Sequence, residues 1–241
     1  MDSSTTAEMQ NIKEQMAGNL QAVRGRIVRA AERAGRNHDD VTIIAVTKTF
    51  DVGRIRLAYE LGLRQFGENR VQEAEGKIRR LDLPVTWHLV GHLQTNKAKD
   101  AVALFDVIHS VDSLRIAQAI DRYAQAKRKR LSVLLEVNIA GEESKSGFTP
   151  QDVLRVAGDI VGLPSLNVEG LMTIAPIVAD PEDARPFFRQ LTELRDELKR
   201  RYPTLAWKHL SMGMTDDFEV AIEEGATMVR IGRAIFGQRP Q

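Results

Sequence analysis

Apolar residues follow two different rhythms along this chain, one before residue 40 and another after it. From Met9 to Ala31 they recur every three or four positions, which places them on one face of a helix. Gly35 follows as a helix stop, because glycine readily adopts the left-handed conformation that ends many helices. The pattern predicts one long amphipathic helix, and we expect residues 1–10 to be disordered.

After that helix, eight short apolar runs alternate with stretches of helical periodicity. Continuous apolar runs between turn residues are typical of parallel strands that are buried on both faces. The predicted strands span residues 41–46, 64–67, 85–90, 106–110, 132–138, 166–172, 206–211 and 227–231. Because parallel strands need crossover connections, this order predicts an α/β fold, a (β/α)8 TIM barrel. The N-terminal helix is then an addition that covers the barrel.

An open, doubly wound sheet is the alternative architecture. No G-x-G-x-x-G turn follows the first predicted strand, which weakens that alternative. The length of 241 residues suits one barrel, since such barrels typically run to about 250 residues. No linker, repeat or low-complexity stretch divides the chain, so we expect a single domain over residues 1–241.

Composition narrows the classes of function. The formal net charge is +1, so the overall charge gives no reason to expect a nucleic-acid or membrane partner. The chain has no cysteine, which excludes disulfides, thiolate metal sites and a cysteine nucleophile. It shows neither an apolar signal segment nor an apolar run long enough to cross a bilayer. We therefore expect a soluble, cytoplasmic protein, and we expect it to be a monomer.

A lysine closely follows the first predicted strand. Barrel enzymes keep their sites at the carboxyl ends of the strands, so Lys48 is expected at the barrel mouth, partly out of water. Burial disfavours the ammonium form of a lysine, and a neutral amine can attack an aldehyde. An ordinary surface lysine is the alternative, and Lys48 taken alone would favour it.

The loops after the seventh and eighth predicted strands point to a more specific site. One runs from Ser211 to Thr215, and the other from Arg230 to Arg233. Barrels often bind phosphate with these two loops, and their glycines, the hydroxyl of Ser211 and the charge of Arg233 suit that role. Together with Lys48 at the first strand, they suggest pyridoxal phosphate, whose aldehyde would react with the lysine.

A metal site is a weaker interpretation of the same region. His88 and His92 straddle a strand end, where a four-residue spacing does not guarantee that two side chains converge. We interpret them as packing or hydrogen-bonding histidines. No G-x-S-x-G sequence or other nucleophile motif occurs in the chain.

Eight segments of the chain carry a family resemblance. They are Ala45–Lys48, Phe66–Glu73, Trp87–Lys97, His109–Ser113, Ser144–Gly147, Gly170–Ile174, Leu210–Asp217 and Val229–Gly232. In this order they resemble the pyridoxal phosphate homeostasis proteins, which are single-domain relatives of the alanine racemase N-terminal barrel. The resemblance implies a barrel of the alanine racemase N-terminal type.

The resemblance also implies particular roles for residues. Six residues would bind the cofactor, namely Lys48, Asn69, Ser211, Arg230, Gly232 and Arg233. Lys48 would carry pyridoxal phosphate as an internal aldimine, and Asn69 would lie near the ring. Arg230 would face the pyridine nitrogen and keep it unprotonated, because an arginine can only donate a hydrogen bond.

At the other end of the cofactor, the resemblance places Ser211, Gly232 and Arg233 at the phosphate. It implies a protein of intracellular pyridoxal phosphate homeostasis, which holds the cofactor reversibly and passes it to pyridoxal-phosphate-dependent apoenzymes. Efficient catalysis is not expected, because an unprotonated ring is a poor electron sink. The sequence leaves open whether Lys97 or Lys145 takes a second cofactor molecule.

Two other functions stay open at this point. One is a weak amino-acid racemase or a related enzyme that uses the same cofactor. Racemases take a tyrosine acid/base from a second β domain, whereas here Tyr59, Tyr123 and Tyr202 fall in predicted helices and the last strand ends close to Gln241. The other is a phosphosugar-binding barrel in which Lys48 reacts with the substrate, as in an aldolase.

Overall fold

The structure is a computed structural model that describes residues 3–238, with side chains described from residue 7 onward. Its eight strands form one closed barrel in chain order, and each strand runs parallel to the next. The last strand closes the barrel against the first, with Thr42 opposite Met228 and Ala45 opposite Ile231. The predicted eight-stranded parallel barrel is therefore confirmed, and the open sheet is excluded.

The strands agree with the predicted ones to within a few residues. They are β1 (Thr42–Val46), β2 (Gln65–Glu68), β3 (Thr86–Leu89), β4 (Val107–Val111), β5 (Leu131–Glu136), β6 (Leu166–Met172), β7 (His209–Ser211) and β8 (Met228–Ile231). The largest difference is at β7, which was predicted to begin at residue 206. Trp207 has a φ of 42°, in the left-handed region, so its backbone cannot continue a strand.

Helices connect the strands and cover the outside of the barrel. They are α1 (Ser3–Arg33), α2 (Val52–Glu60), α3 (Val71–Ile78), α4 (Ala98–Leu104), α5 (Leu114–Ala126), α6 (Pro150–Val161), α7 (Arg185–Arg201), α8 (Phe218–Glu223) and α9 (Arg233–Phe236). None of the helices in residues 3–238 is both long and apolar enough to cross a membrane.

The added N-terminal helix packs against the last two helices of the chain. α1 contacts α8 and α9, and its buried side chains include Met16, Leu20 and Val23. Gly35 follows it with a φ of 64°, as predicted for a helix stop. Where we expected disorder over residues 1–10, the structure places Ser3–Gln10 in α1, and residues 1 and 2 lie outside the described residues.

The core has two parts, one of which is unusual. A large apolar cluster fills the layer between the strands and the helices. Inside the barrel a smaller cluster comprises Ile44, Val46, Val90, Leu134, Met172 and Met228. Barrel interiors are normally filled by bulky apolar side chains, yet this one also buries His88, His109, Ser211 and Arg230. These polar residues lie below the site described next.

Candidate functional site

A cavity of about 230 Å³ opens at the carboxyl ends of the strands. Five of the six residues predicted to bind a cofactor line it, namely Lys48, Asn69, Arg230, Gly232 and Arg233. They come from the ends of β1, β2 and β8, which are neighbours in the closed barrel. The sixth, Ser211, does not line the cavity.

Lys48 reaches this cavity because of the turn that follows β1. It is half-buried and stands two residues beyond Val46, so it continues the inward-facing series of Ile44 and Val46. Thr49 adopts a φ of 70°, which is uncommon for a residue with a Cβ atom. The turn therefore leaves Lys48 at the cavity wall, at the mouth of the barrel where its sequence position predicted it.

Next to Lys48 the cavity offers apolar walls and one polar group. Val46, Val90 and Ile174 contribute the apolar surface. The Oδ1 atom of Asn69 is buried and has no hydrogen-bond partner among the described residues. A buried amide oxygen without a partner is costly, so this atom calls for a donor from a ligand. Asn69 does not cap α3, because Arg70 is the N-cap residue.

Arg230 forms the floor of the cavity and is held firmly. It is only 5% exposed. One terminal nitrogen, Nη1, donates to the carbonyl oxygen of Ser211 at 2.7 Å and to its hydroxyl at 2.8 Å. The other, Nη2, donates to the carbonyl oxygen of Thr173 at 2.8 Å. Burial lowers the pKa of Arg230 to about 10, while Asp217 and Glu136 oppose the shift, so the group stays charged at neutral pH.

Ser211 lies beneath Arg230 rather than beside the cavity. It is fully buried, and its hydroxyl also pairs with Nδ1 of His109 at 2.9 Å. This placement differs from the direct phosphate contact that the sequence predicted. Ser211 is the last residue of β7, so its side chain still faces the barrel interior, where Arg230 covers it.

The hydrogen bonds continue from Ser211 across the barrel. Nε2 of His109 meets Nδ1 of His88 at 2.9 Å, and Nε2 of His88 meets Oε1 of Gln65 at 2.7 Å. We call the series of Gln65, His88, His109, Ser211 and Arg230 the interior chain. It joins β2, β3, β4, β7 and β8 and ends at the cavity floor.

The interior chain has a single consistent direction. Burial lowers the pKa of His88 to about 3 and that of His109 well below its usual value, so both rings are neutral. If Gln65 accepts from His88, then His88 must accept from His109, and His109 must accept from the hydroxyl of Ser211. Ser211 is then free to accept from Arg230. Because His88 and His92 belong to different networks, the structure does not bring them together as a metal pair.

The loops after β7 and β8 form the other end of the cavity. Met214, Thr215 and Asp216 line it on one side, and Gly232 and Arg233 on the other. Arg233 donates to a carboxylate oxygen of Asp216 at 2.6 Å, and both side chains are exposed. Thr215 adds a hydroxyl-bearing residue to this end of the cavity, and the sequence analysis did not assign it to the site. Its position in the same loop as Ser211 is the sequence feature that could have identified it.

A further titratable group lies just below the mouth of the barrel. Glu136 ends β5 and is 7% exposed, and it alternates with Leu134 of the interior cluster. Burial, reinforced by the negative charge of Asp112, raises the pKa of Glu136 to about 7, although Arg230 opposes the shift. Its Oε2 atom has no partner among the described residues.

Comparison with known proteins gives a consistent result. The alanine racemase N-terminal domain family matches residues 18–240. The chain is 48% identical to a pyridoxal phosphate homeostasis protein of Aquifex aeolicus over 221 residues, which are 91% of this chain and 96% of the relative.

Two solved structures are also similar. The PipY protein of Synechococcus elongatus, with pyridoxal phosphate bound, matches at 36% identity with a TM-score of 0.82, covering 92% of this chain and 100% of that one. An alanine racemase of Clostridium difficile matches at 17% identity with a TM-score of 0.73, covering 95% of this chain and 58% of that one. The second likeness supports the fold alone.

Proposed function

The chain belongs to the pyridoxal phosphate homeostasis proteins, within the alanine racemase N-terminal domain family, and from this premise we propose that it binds pyridoxal phosphate in the cavity at the barrel mouth. It holds the cofactor reversibly and releases it to apoenzymes. The observation that carries this proposal is the convergence of Lys48, Asn69, Arg230 and the loop of Gly232 and Arg233 on one cavity.

The residues at the lysine end fit the ring and the aldehyde. The amine of Lys48 condenses with the aldehyde to give a Schiff base with loss of water, a reaction that water reverses. Val46, Val90 and Ile174 provide apolar surface for the ring. Asn69 supplies the amide whose oxygen lacks a partner within the part of the chain that the structure describes.

The residues at the other end fit a phosphate group. Thr215 and Arg233 both line the cavity, and their hydroxyl and guanidinium groups can donate to phosphate oxygens. The ion pair of Arg233 with Asp216 is exposed, so exchanging the carboxylate for a phosphate costs little. In this proposal Ser211 contributes indirectly, by holding Arg230.

The same geometry supports binding without efficient catalysis. Arg230 only donates hydrogen bonds, so it does not favour a protonated pyridine nitrogen. The tyrosines do not offer a second acid/base group, since Tyr59 and Tyr123 lie within helices and Tyr202 follows the end of α7. A base on one face alone does not support racemisation.

Visible spectroscopy and mass analysis test the proposal together. Protein incubated with pyridoxal phosphate should turn yellow, and borohydride reduction should place the adduct on Lys48. Lys97→Ala and Lys145→Ala serve as controls, because both lysines line neighbouring cavities, and they should stay yellow whereas Lys48→Ala should not. An adduct mainly on Lys97 or Lys145 would defeat the assignment.

Release and turnover separate the homeostasis protein from a racemase. The loaded protein should restore activity to a pyridoxal-phosphate-dependent apoenzyme when the two proteins are mixed without a dialysis step. Incubation with L- and D-alanine in deuterated water should give little Cα exchange. Exchange at about 10 per second, an ordinary enzyme turnover, would instead identify a racemase.

A further inference from the structure

Four side chains behind Lys48 form a charged cluster outside the barrel wall. We call Thr47, Glu68, Glu73 and Lys77 the Lys77 cluster. Thr47 and Glu68 each follow an inward-facing residue of the barrel, so their side chains point outward towards α3, which carries Glu73 and Lys77. None of these residues lines the cavity that holds Lys48.

Lys77 is the centre of the cluster. Its ammonium donates to Oε1 of Glu68, to Oε1 of Glu73 and to the carbonyl oxygen of Thr47, each at 2.7 Å. These three acceptors match the three hydrogens of a lysine ammonium. The third bond matters most for the site, because the Thr47 carbonyl belongs to the peptide group that joins Thr47 to Lys48.

Glu73 holds the other side of Lys48. The backbone N–H of Thr49 donates to Oε1 of Glu73 at 2.6 Å, and that same oxygen accepts from Lys77. Thr49 has the left-handed φ of 70°, a conformation that a threonine adopts only when its surroundings impose it. The ion pair between Lys77 and Glu73 therefore fixes the backbone on both sides of Lys48.

Stability alone does not account for this arrangement. Glu68 is fully buried, and burial raises its pKa even though Lys77 opposes the shift. Its Oε2 atom has no partner among the described residues. Buried ion pairs often contribute no more to stability than well-packed apolar side chains would, so stability is a weak explanation for this pair. Backbone strain next to a reactive side chain is typical of functional sites.

We propose that Lys77 is a positioning residue, which fixes the backbone on both sides of Lys48 so that the lysine amine meets the cofactor aldehyde. This inference rests on the proposed function, since it assigns the geometry of the same site. Lys77 does not line the cavity, and its three hydrogens go to Thr47, Glu68 and Glu73. Its effect should therefore appear in the covalent step and not in the filling of the cavity.

Two ligands separate the covalent step from cavity filling. Pyridoxal phosphate has the aldehyde, and pyridoxine 5′-phosphate carries an alcohol in its place. The test variant is Glu68→Gln with Lys77→Met, which removes Lys77 and neutralises the fully buried Glu68. The carboxylate that then lacks its ion-pair partner is that of Glu73, which is partly exposed. The matched control is Glu75→Gln with Arg79→Met, because that pair joins the same helix to its C-cap residue and is exposed.

The variant should bind pyridoxal phosphate about tenfold more weakly, equivalent to about 1.4 kcal/mol. Its affinity for pyridoxine 5′-phosphate should stay within about twofold of the wild type, a change of about 0.4 kcal/mol. The control pair should alter neither affinity. An equal loss for both ligands, or no loss for either, would overturn the positioning role.

A second measurement needs no cofactor. The cofactor-free protein is treated with trinitrobenzenesulfonate over a range of pH, and the rate of modification at Lys48 is followed by peptide mass analysis. The variant should shift the pH profile of Lys48, whereas the profile of exposed lysines such as Lys127 should not move. An unchanged Lys48 profile would count against the inference.

A milder substitution guards against misfolding. Glu73→Gln leaves Lys77 and Glu68 paired and should give a smaller change in the same direction. If wild-type protein forms no adduct at Lys48, the proposed function fails. The pH profile of Lys48 modification by trinitrobenzenesulfonate still tests the role of Lys77, because it needs no cofactor. The two failures are thus distinguishable.

Discussion

Two buried polar networks approach the cavity from opposite sides of the barrel wall. The Lys77 cluster lies outside the wall and consists of an ammonium, two carboxylates and a hydroxyl. The interior chain lies inside and consists of neutral groups until it reaches Arg230. One network holds the backbone around Lys48, and the other holds the arginine at the cavity floor.

The difference shows two ways of fixing a functional group. An ion pair attracts from any direction, so the Lys77 cluster gains precision only because the ammonium uses all three of its hydrogens. The interior chain needs no charge on its rings, because each neutral ring has one donor and one acceptor, and Gln65 as the acceptor at one end sets the direction of every bond. The charged network should therefore be the more costly one to break, and the neutral one the less sensitive to pH.

Breaking the charged network should have the largest effect on stability. Lys77→Met leaves the carboxylate of Glu68 buried without its partner, which should lower the free energy of unfolding by about 3–5 kcal/mol. Arg79→Met breaks an exposed pair at the C-terminal end of the same helix and should cost about 0.5 kcal/mol or less. Urea unfolding at neutral pH measures both. If the two variants lose similar amounts of unfolding free energy, then burial does not make the pair of Lys77 and Glu68 more costly to break.

The pH dependence of the barrel interior should come from Glu136. Its raised pKa means that the folded state favours the protonated carboxyl, so this stabilisation is present below about pH 4.5 and is lost as pH rises through about 7. Between pH 5 and pH 8 the wild type should lose about 2–3 kcal/mol relative to Glu136→Gln, which cannot ionise. Urea unfolding at several pH values measures this difference. If the free energy of unfolding changes with pH equally in the two proteins, the raised pKa of Glu136 is contradicted.

The neutral chain should respond differently to a break. His109→Leu removes the partner of both His88 and Ser211, and two buried groups lose a hydrogen bond, at a cost of about 1–3 kcal/mol. Because both rings are already neutral, the loss should be the same at pH 5.5 and pH 8. His38→Leu is the matched control, since His38 is exposed. A loss that grows between these pH values would show that a ring titrates in the folded protein.

The barrel and the place of Lys48 were predictable because they depend on local order along the chain. Strand and helix alternate, and parallel strands carry their ends to one mouth, so the end of β1 locates Lys48 without any knowledge of packing. Gly35 likewise stops α1 through its own backbone. Such features need only the sequence within a few residues.

The two networks were not predictable in this way. His109 and Ser211 are 102 residues apart in the sequence, and they meet because β4 and β7 face each other across the barrel interior. Lys77 meets Thr47 over 30 residues through a helix that returns against the strand. Ser211 ends β7 and is buried, whereas Thr215 lies in the loop beyond it and lines the cavity. Apolar periodicity does not reveal which of the two hydroxyl groups reaches the cavity.

The smallest expected effect distinguishes these last two hydroxyl groups. Thr215→Val removes a donor to the phosphate, so the affinity for pyridoxal phosphate should fall about tenfold, while that for pyridoxal, which lacks the phosphate, should not change. Ser211→Ala instead loosens Arg230 at the cavity floor and should weaken both ligands by the same factor. Equilibrium titration of each variant with both ligands measures the two ratios. If Ser211→Ala weakens only pyridoxal phosphate, then Ser211 contacts the phosphate directly, and the interior chain does not end in a separately held arginine.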